Sequence, residues 1–278
     1  MSTYPELVKG GEAEERSLVT VERTAARAVI TLSDPTRLNS LTPGMVLQLR
    51  SRLAELAEDP DLRAIVITGQ DPAFSAGGDL DMIETGSTRI RTPEEPADTT
   101  DAWRWIRRQF GGVVRTIAST DKAFIAAING AAAGVGLAFA LACDILIASE
   151  QAALVPAFGR LGLVPEVGTS WLMTRRLGYQ AALGLYVRGR HLEPDEALRL
   201  GIVQEVCPHD ELLGNAIAWC ERVERLPAHA FAMTKPLLRA AVDAPWEQSL
   251  ALEEYAEGNC FSTATLADAA AAIKRGAG

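Results

Sequence analysis

The sequence predicts an α/β body followed by a helical tail, and three features predict it. Strand, strand, helix and strand follow one another between residues 18 and 68, an apolar run at 123–128 turns through glycines into a helix, and no strand pattern recurs after Pro208. At 278 residues the chain suits one large domain or a domain with an appendage. A chain of this size buries enough surface to fold without disulfides or a structural metal.

In chain order, residues 1–16 are polar and are expected to be disordered. The alternations LVTVER at 18–23 and AVITL at 28–32 read as a hairpin closed by Thr24, Ala25 and Ala26. Thr42 and Pro43 open a helix running to about Glu58, because Thr caps free amides and Pro is tolerated in a first turn. Ala64 to Thr68 is a buried strand ended by Gly69. Residues 85–101, with Pro93 and Pro96, are polar and too long for an ordinary connection, which predicts an insertion or lid. A helical stripe follows at Trp103, Ile106, Phe110, Val113 and Ile117. Then come the strand 123–128, a glycine-rich turn, a helix to about Ala142, a strand at 145–148 and a short one before Val206.

Helices at about 209–225, 229–242, 246–258 and 263–274 fill the remainder, separated by Pro227 and Pro245. Short helices with little core of their own must dock on the body or on another subunit, so 209–278 is expected to be an oligomerisation region behind a core at 17–208.

Composition removes several classes of function. The net charge of −9 and the lack of a long basic block argue against nucleic acid. Residues 123–143 have the length of a membrane span and Asn129 as their one polar side chain, but internal glycines favour a buried strand, turn and helix instead. No apolar signal core stands at the N-terminus, so the expected location is cytoplasmic. Cys143, Cys207, Cys220 and Cys260 match no zinc-ligand spacing, and no metal is expected. His191, His209 and His229 sit at loop-to-helix junctions where capping or surface roles outweigh catalysis.

Two turns can carry chemistry. Residues 73–80, AFSAGGDL, and residues 129–136, NGAAAGVG, each lead from a strand into a helix N-terminus, where free amides and the positive dipole end receive an anion or a developing oxyanion. Glycines in such turns are as often there for geometry alone. Gly134-Val135-Gly136 also opens a dinucleotide fingerprint, which fails at Phe139. Ser75 lacks the setting of a nucleophile elbow.

Taken together, AFSAGGDL at 73–80 and INGAAAGVGLAFALACDILIAS at 128–149 resemble the paired oxyanion-hole segments of the crotonase family, the enoyl-CoA hydratase/isomerase superfamily. The resemblance covers about residues 18–262. Asp34 to Leu41 is similar to the family's CoA-contact loop, and Gly162 to Pro165, Gly189 to Val206 and Met233 to Pro236 fall in family order. It implies a ClpP-like superhelix of strand–strand–helix units with a helical C-terminal region, assembled as a homotrimer or a dimer of trimers. It also implies an acyl-CoA thioester substrate, with CoA part of the substrate and no separate cofactor.

Carried onto this chain, the resemblance assigns the oxyanion-hole amides to Gly78 and Val135. Arg37 and Lys235 fall near the CoA phosphates or adenine, and Ser40, Ala76 and Asp79 join the substrate-binding set, Asp79 also capping the helix behind Gly78. Hydratases of the family use two glutamates, and the matching positions here are Ala138 and Phe158, neither of which can deprotonate water. Glu166 stands where the family's isomerases keep a single Glu or Asp, which implies a proton shuttle. The plainer alternative is that Glu166 starts a helix after Pro165, where negative charge is favourable by ~0.3–1 kcal/mol.

Overall fold

A computed structural model describes residues 3–84 and 99–275. Among the described residues nine strands form: β1 (Val19–Arg23), β2 (Arg27–Leu32), β3 (Ala64–Gly69), β4 (Ala73–Ser75), β5 (Ala123–Ile128), β6 (Ala131–Ala133), β7 (Ile145–Ser149), β8 (Ala153–Val155) and β9 (Glu205–Cys207). The β1–β2 hairpin pairs antiparallel with Val19 opposite Leu32, and Ala28, Ile30 and Leu32 alternate inward. From β2 onward every pairing between these strands is parallel.

Parallel neighbours require crossovers, and here the crossovers alternate between two sheets. The large sheet has the order β1-β2-β3-β5-β7-β9, and the small one the order β4-β6-β8. Strands β3, β5 and β7 of the large sheet are each followed by a sharp corner and a three-residue strand in the small sheet before the chain winds back. This is the superhelix of strand–strand–helix units expected from the resemblance. Strands β4, β6 and β8 were not expected from the sequence, where 73–80 and 129–136 read as loops. With three residues each, mostly Ala, they carry no alternation of their own and exist only by stacking corner upon corner.

The stretch of membrane-span length resolves into β5, β6 and a helix over Val135–Ala142, all eight of whose residues are buried. Among the described residues no helix is long and apolar enough to cross a membrane.

A side-chain lattice holds the first corner. The Asn39 amide donates to the carbonyls of Gln70 (2.7 Å) and Ala73 (2.6 Å), and its oxygen accepts from Asp34 N (2.9 Å). Asn39 is fully buried, with a φ of +55°, a conformation Asn tolerates better than most residues. Asn39→Ala leaves two carbonyls and an amide unpaired in the interior and is expected to cost about 3 kcal/mol. Urea unfolding checks this, and a loss below ~0.5 kcal/mol would contradict it.

Two expectations change. Residues 1–16 are not wholly disordered: a helix spans Tyr4–Glu12, opened by a capping box between Thr3 and Glu6, with Leu7 and Gly11 buried. The stripe predicted through Trp103 shifts, because Ile106–Phe110 is a π-helical turn that takes up extra chain and rotates what precedes it. Trp105 is buried and Trp103 exposed as a result. Of the insertion at 85–101, residues 85–98 lie outside the described residues, and 99–101 begin a helix over Thr99–Trp105. The chain divides into compact units Met1–Cys220 and Glu221–Gly278, a division that falls within the helix Leu212–Glu224. The second unit contains helices Ala228–Ala241, Trp246–Phe261 and Ala264–Lys274.

Candidate active site

The two turns singled out in the sequence meet. A methyl placed on Gly77 would lie 2.5 Å from the Ala133 carbonyl oxygen and 3.5 Å from Val135 N, so the backbones touch there with no room for a side chain. Gly136 makes the second close approach, since a methyl on it would lie 2.7 Å from Ser75 Cβ. The helix Val135–Ala142 thereby packs directly on β4. Val135 is its first residue, whose amide has no partner within the helix, and Gly134 precedes it at a φ of +50°.

Ser75 and Asp79 serve this geometry. The fully buried Ser75 hydroxyl donates to Asn39 O (2.8 Å) and accepts from Gly77 N (3.2 Å), tying the first turn to the 34–39 loop. Asp79 accepts from Met82 N (2.8 Å), capping the helical residues 80–84 as expected, and its other oxygen pairs with Arg37 Nη2 at 2.7 Å.

A cavity of about 600 Å³ opens beside the two turns, and its wall includes Ser40, Ala76, Gly78, Val135 and Glu166. Five of the eight candidate residues therefore face one space. Arg37 does not line it: its guanidinium bridges Asp79 and Asp81, at 2.7 and 2.8 Å. Lys235 belongs to the second compact unit and is buried there, not a solvated surface cation. The remaining wall is almost wholly apolar, with Trp105, Phe110, Phe158 and Leu163 among it. Phe110 belongs to the helical stripe legible in the sequence, and Phe158 is one of the two positions where a hydratase would carry a glutamate. Ala138 is fully buried in the core behind the turn.

Glu166 does not start a helix. It lies in the turn before the helix Thr169–Leu177, its carbonyl accepting from Thr169 N (2.9 Å), with Val167 and Gly168 at φ of +57° and +87°. The plain helix-terminus explanation of its charge therefore fails. Among the described residues its Oε2 is sealed from solvent without a hydrogen-bond partner. Burial raises its carboxyl from an ordinary 4.5 to about 7. Such a group can both take and return a proton near neutral pH.

Between pH 4.5 and about 7 the folded chain keeps a proton on Glu166 that the unfolded chain has released. Stability therefore falls as pH rises through that window. Glu166→Gln is expected to raise the melting temperature relative to the unsubstituted chain at pH 8, and to leave the two alike at pH 4. Thermal unfolding at both pH values checks this, and an equal shift at both would remove buried ionisation as its cause.

Comparison with known proteins places this geometry. The family model for enoyl-CoA hydratase/isomerase matches residues 22–272. A probable enoyl-CoA hydratase of Mycobacterium tuberculosis is 32% identical over 255 residues, covering 92% of this chain and 94% of the relative. The 1,2-epoxyphenylacetyl-CoA isomerase of Escherichia coli is 33% identical over 224 residues, covering 81% and 82%. Among solved structures, a probable enoyl-CoA hydratase/isomerase from Mycobacterium abscessus superimposes with a TM-score of 0.83 at 31% identity, covering 94% of this chain and 96% of that one.

Proposed function

The chain belongs to the enoyl-CoA hydratase/isomerase family, and from that premise we propose that it shifts the double bond of a 3-enoyl-CoA thioester to the 2-position, with Glu166 as the proton shuttle. The observation that carries the proposal is that Glu166, alone among the described lining residues, brings a carboxylate into the cavity that also holds Gly78 and Val135.

In this mechanism the thioester oxygen lies between the amides of Gly78 and Val135. As the C2 proton leaves, charge moves onto that oxygen, and the amides stabilise it more than they stabilise the neutral thioester. The Glu166 carboxylate takes the proton from C2, and the C2–H electrons form a C1–C2 double bond as the charge moves onto the thioester oxygen, giving a dienolate. The charge then returns from that oxygen, the C1–C2 pair becomes the C2–C3 double bond, the old C3–C4 pair takes the same proton from Glu166 at C4, and Glu166 is again ionised. One carboxylate suffices, no water is consumed, and the apolar wall keeps bulk water from the dienolate. The reading asks for no cofactor beyond the CoA that the substrate carries. It also has the chain self-associate as a homotrimer or pair of trimers; exposed Leu238, Trp246 and Tyr255 on the second unit are apolar surface that another copy would cover.

Relatives named as hydratases favour a second reading, the addition of water to a 2-enoyl thioester. That reaction needs carboxylates to orient and deprotonate water, and Ala138 and Phe158 place none at the two expected positions. Turnover of 3-enoyl-CoA and of 2-enoyl-CoA, by the unsubstituted chain and by Glu166→Gln, separates the readings. Isomerisation lost in the variant supports the proposal. Hydration that survives the substitution would sink it, and binding with no turnover of a broad thioester panel would leave a non-catalytic acyl-CoA-binding protein.

A further inference from the structure

The helix Tyr4–Glu12 precedes the first strand, and its first residue is connected to the wall of the cavity. The connection runs through Gln109, a side chain only 3% exposed in the middle of the π-helical turn Ile106–Phe110. The Gln109 amide donates to the Tyr4 hydroxyl at 2.9 Å, and its oxygen accepts from Arg50, which reaches in from the helix Pro43–Ala57. Arg108, next in the turn, sets its guanidinium 5.7 Å from the centre of the Tyr4 ring. Both polar ends of Gln109 are thus used, each by a different helix.

The turn gripped in this way contributes two cavity residues, Ile106 and Phe110, at its two ends. A π turn is wider than an α turn and has poorer geometry, so its shape depends on what holds it from outside. Phe110 also meets the ring of Trp105 edge-on at 6.1 Å and that of Phe139, in the helix led by Val135, at 6.3 Å. A shift of the turn would move the cavity wall without breaking the contact between the two glycine turns, which rests on Gly77 and Gly136.

We propose that the N-terminal helix is a specificity element: acting through Gln109, it fixes the π turn and with it the part of the pocket that receives acyl carbons beyond C4. The proposal rests on the cavity being an acyl-CoA site, as above. Gln109 and Tyr4 are positioning residues, since neither lines the cavity itself. The chemistry ends at C4, so a four-carbon acyl group has no carbons to place against Ile106 and Phe110, and a ten-carbon group does.

The test is equilibrium binding of butyryl-CoA and decanoyl-CoA by titration calorimetry, on the full chain and on Tyr4→Phe and Gln109→Met. These thioesters are saturated and cannot isomerise, so the result stands apart from whether the proposed reaction occurs. Tyr4→Phe is expected to weaken decanoyl-CoA about 5-fold, the worth of one hydrogen bond, and butyryl-CoA less than about 2-fold. Gln109→Met, which removes both bonds, is expected to widen the gap. Equal weakening of the two thioesters would mean general loosening and would overturn the proposal, as would unchanged decanoyl-CoA binding in both variants. If the unsubstituted chain binds neither thioester, the acyl-CoA site itself is what fails.

Discussion

Glu166→Gln is expected to slow double-bond transfer by about 10²–10⁴-fold while leaving the affinity for a saturated acyl-CoA within about 2-fold. Glutamine keeps the size and the polar end of the side chain but cannot accept the C2 proton as a base. Among the described residues the sealed Oε2 of Glu166 has no hydrogen-bond partner, so the substitution breaks no bond there. The loss therefore falls on kcat and on kcat/KM together, the signature of an interaction made in the transition state. In the unsubstituted chain kcat/KM is expected to drop as pH falls through about 7, where the buried carboxyl takes up its proton. Steady-state rates on a 3-enoyl-CoA from pH 5 to 9 check both statements. A variant within 10-fold of the parent would assign the proton to another group.

Most of the secondary structure was legible because it rests on local patterns. The hairpin alternates, Thr42 accepts from Met45 N and starts its helix at Pro43, and the tail helices fall close to where Pro227 and Pro245 punctuate them. The N-terminal helix has a local signal too, but one outweighed by its polarity. Thr3 and Glu6 form a capping box, and Tyr4, Leu7, Val8 and Gly11 recur at helical spacing, but the high polarity around them reads as disorder. Strands β4, β6 and β8 were not legible, since each is stabilised by neighbours far away in sequence and carries no pattern of its own. The phase of the 102–119 stripe failed for a different reason: a period of 3.6 assumes an unbroken α-helix, and the π turn at Ile106–Phe110 resets it.

The site divides in the same way. Backbone groups and Glu166 could be carried over from motif to structure because turn geometry places them, and Gly78, Val135 and Glu166 do face one cavity. Arg37 shows the limit. A cation in a motif does not announce its partner, and here Asp79 and Asp81 hold it from opposite sides of sequence position 80. The role of Asn39 was hidden inside a loop motif, where only its contacts with Gln70 and Ala73 reveal that it supports the corner beneath the first turn.

That corner makes the sharpest contrast between two adjacent glycines. Gly77 has a φ of +90° and faces the Ala133 carbonyl so closely that a methyl would stand 2.5 Å from its oxygen. Gly78, whose amide is the proposed donor, has no left-handed backbone, and the nearest atom to a methyl there is the flexible end of Ile83 at 3.4 Å. Gly77→Ala must therefore drive the two turns apart or twist the first one. Either movement takes the amides of Gly78 and Val135 out of common aim at one oxygen. Removing one aligned donor costs about 10²–10³ in kcat, and Gly77→Ala is expected to reach that range, together with a loss of stability that thermal unfolding registers. Gly78→Ala is expected to stay within about 10-fold of the parent, because a backbone amide donates equally well from alanine when its direction is kept. Rates on a 3-enoyl-CoA at saturation decide the matter: if Gly77→Ala turns over normally, or if Gly78→Ala suffers as much, the contact between the two turns is not what aims the donors.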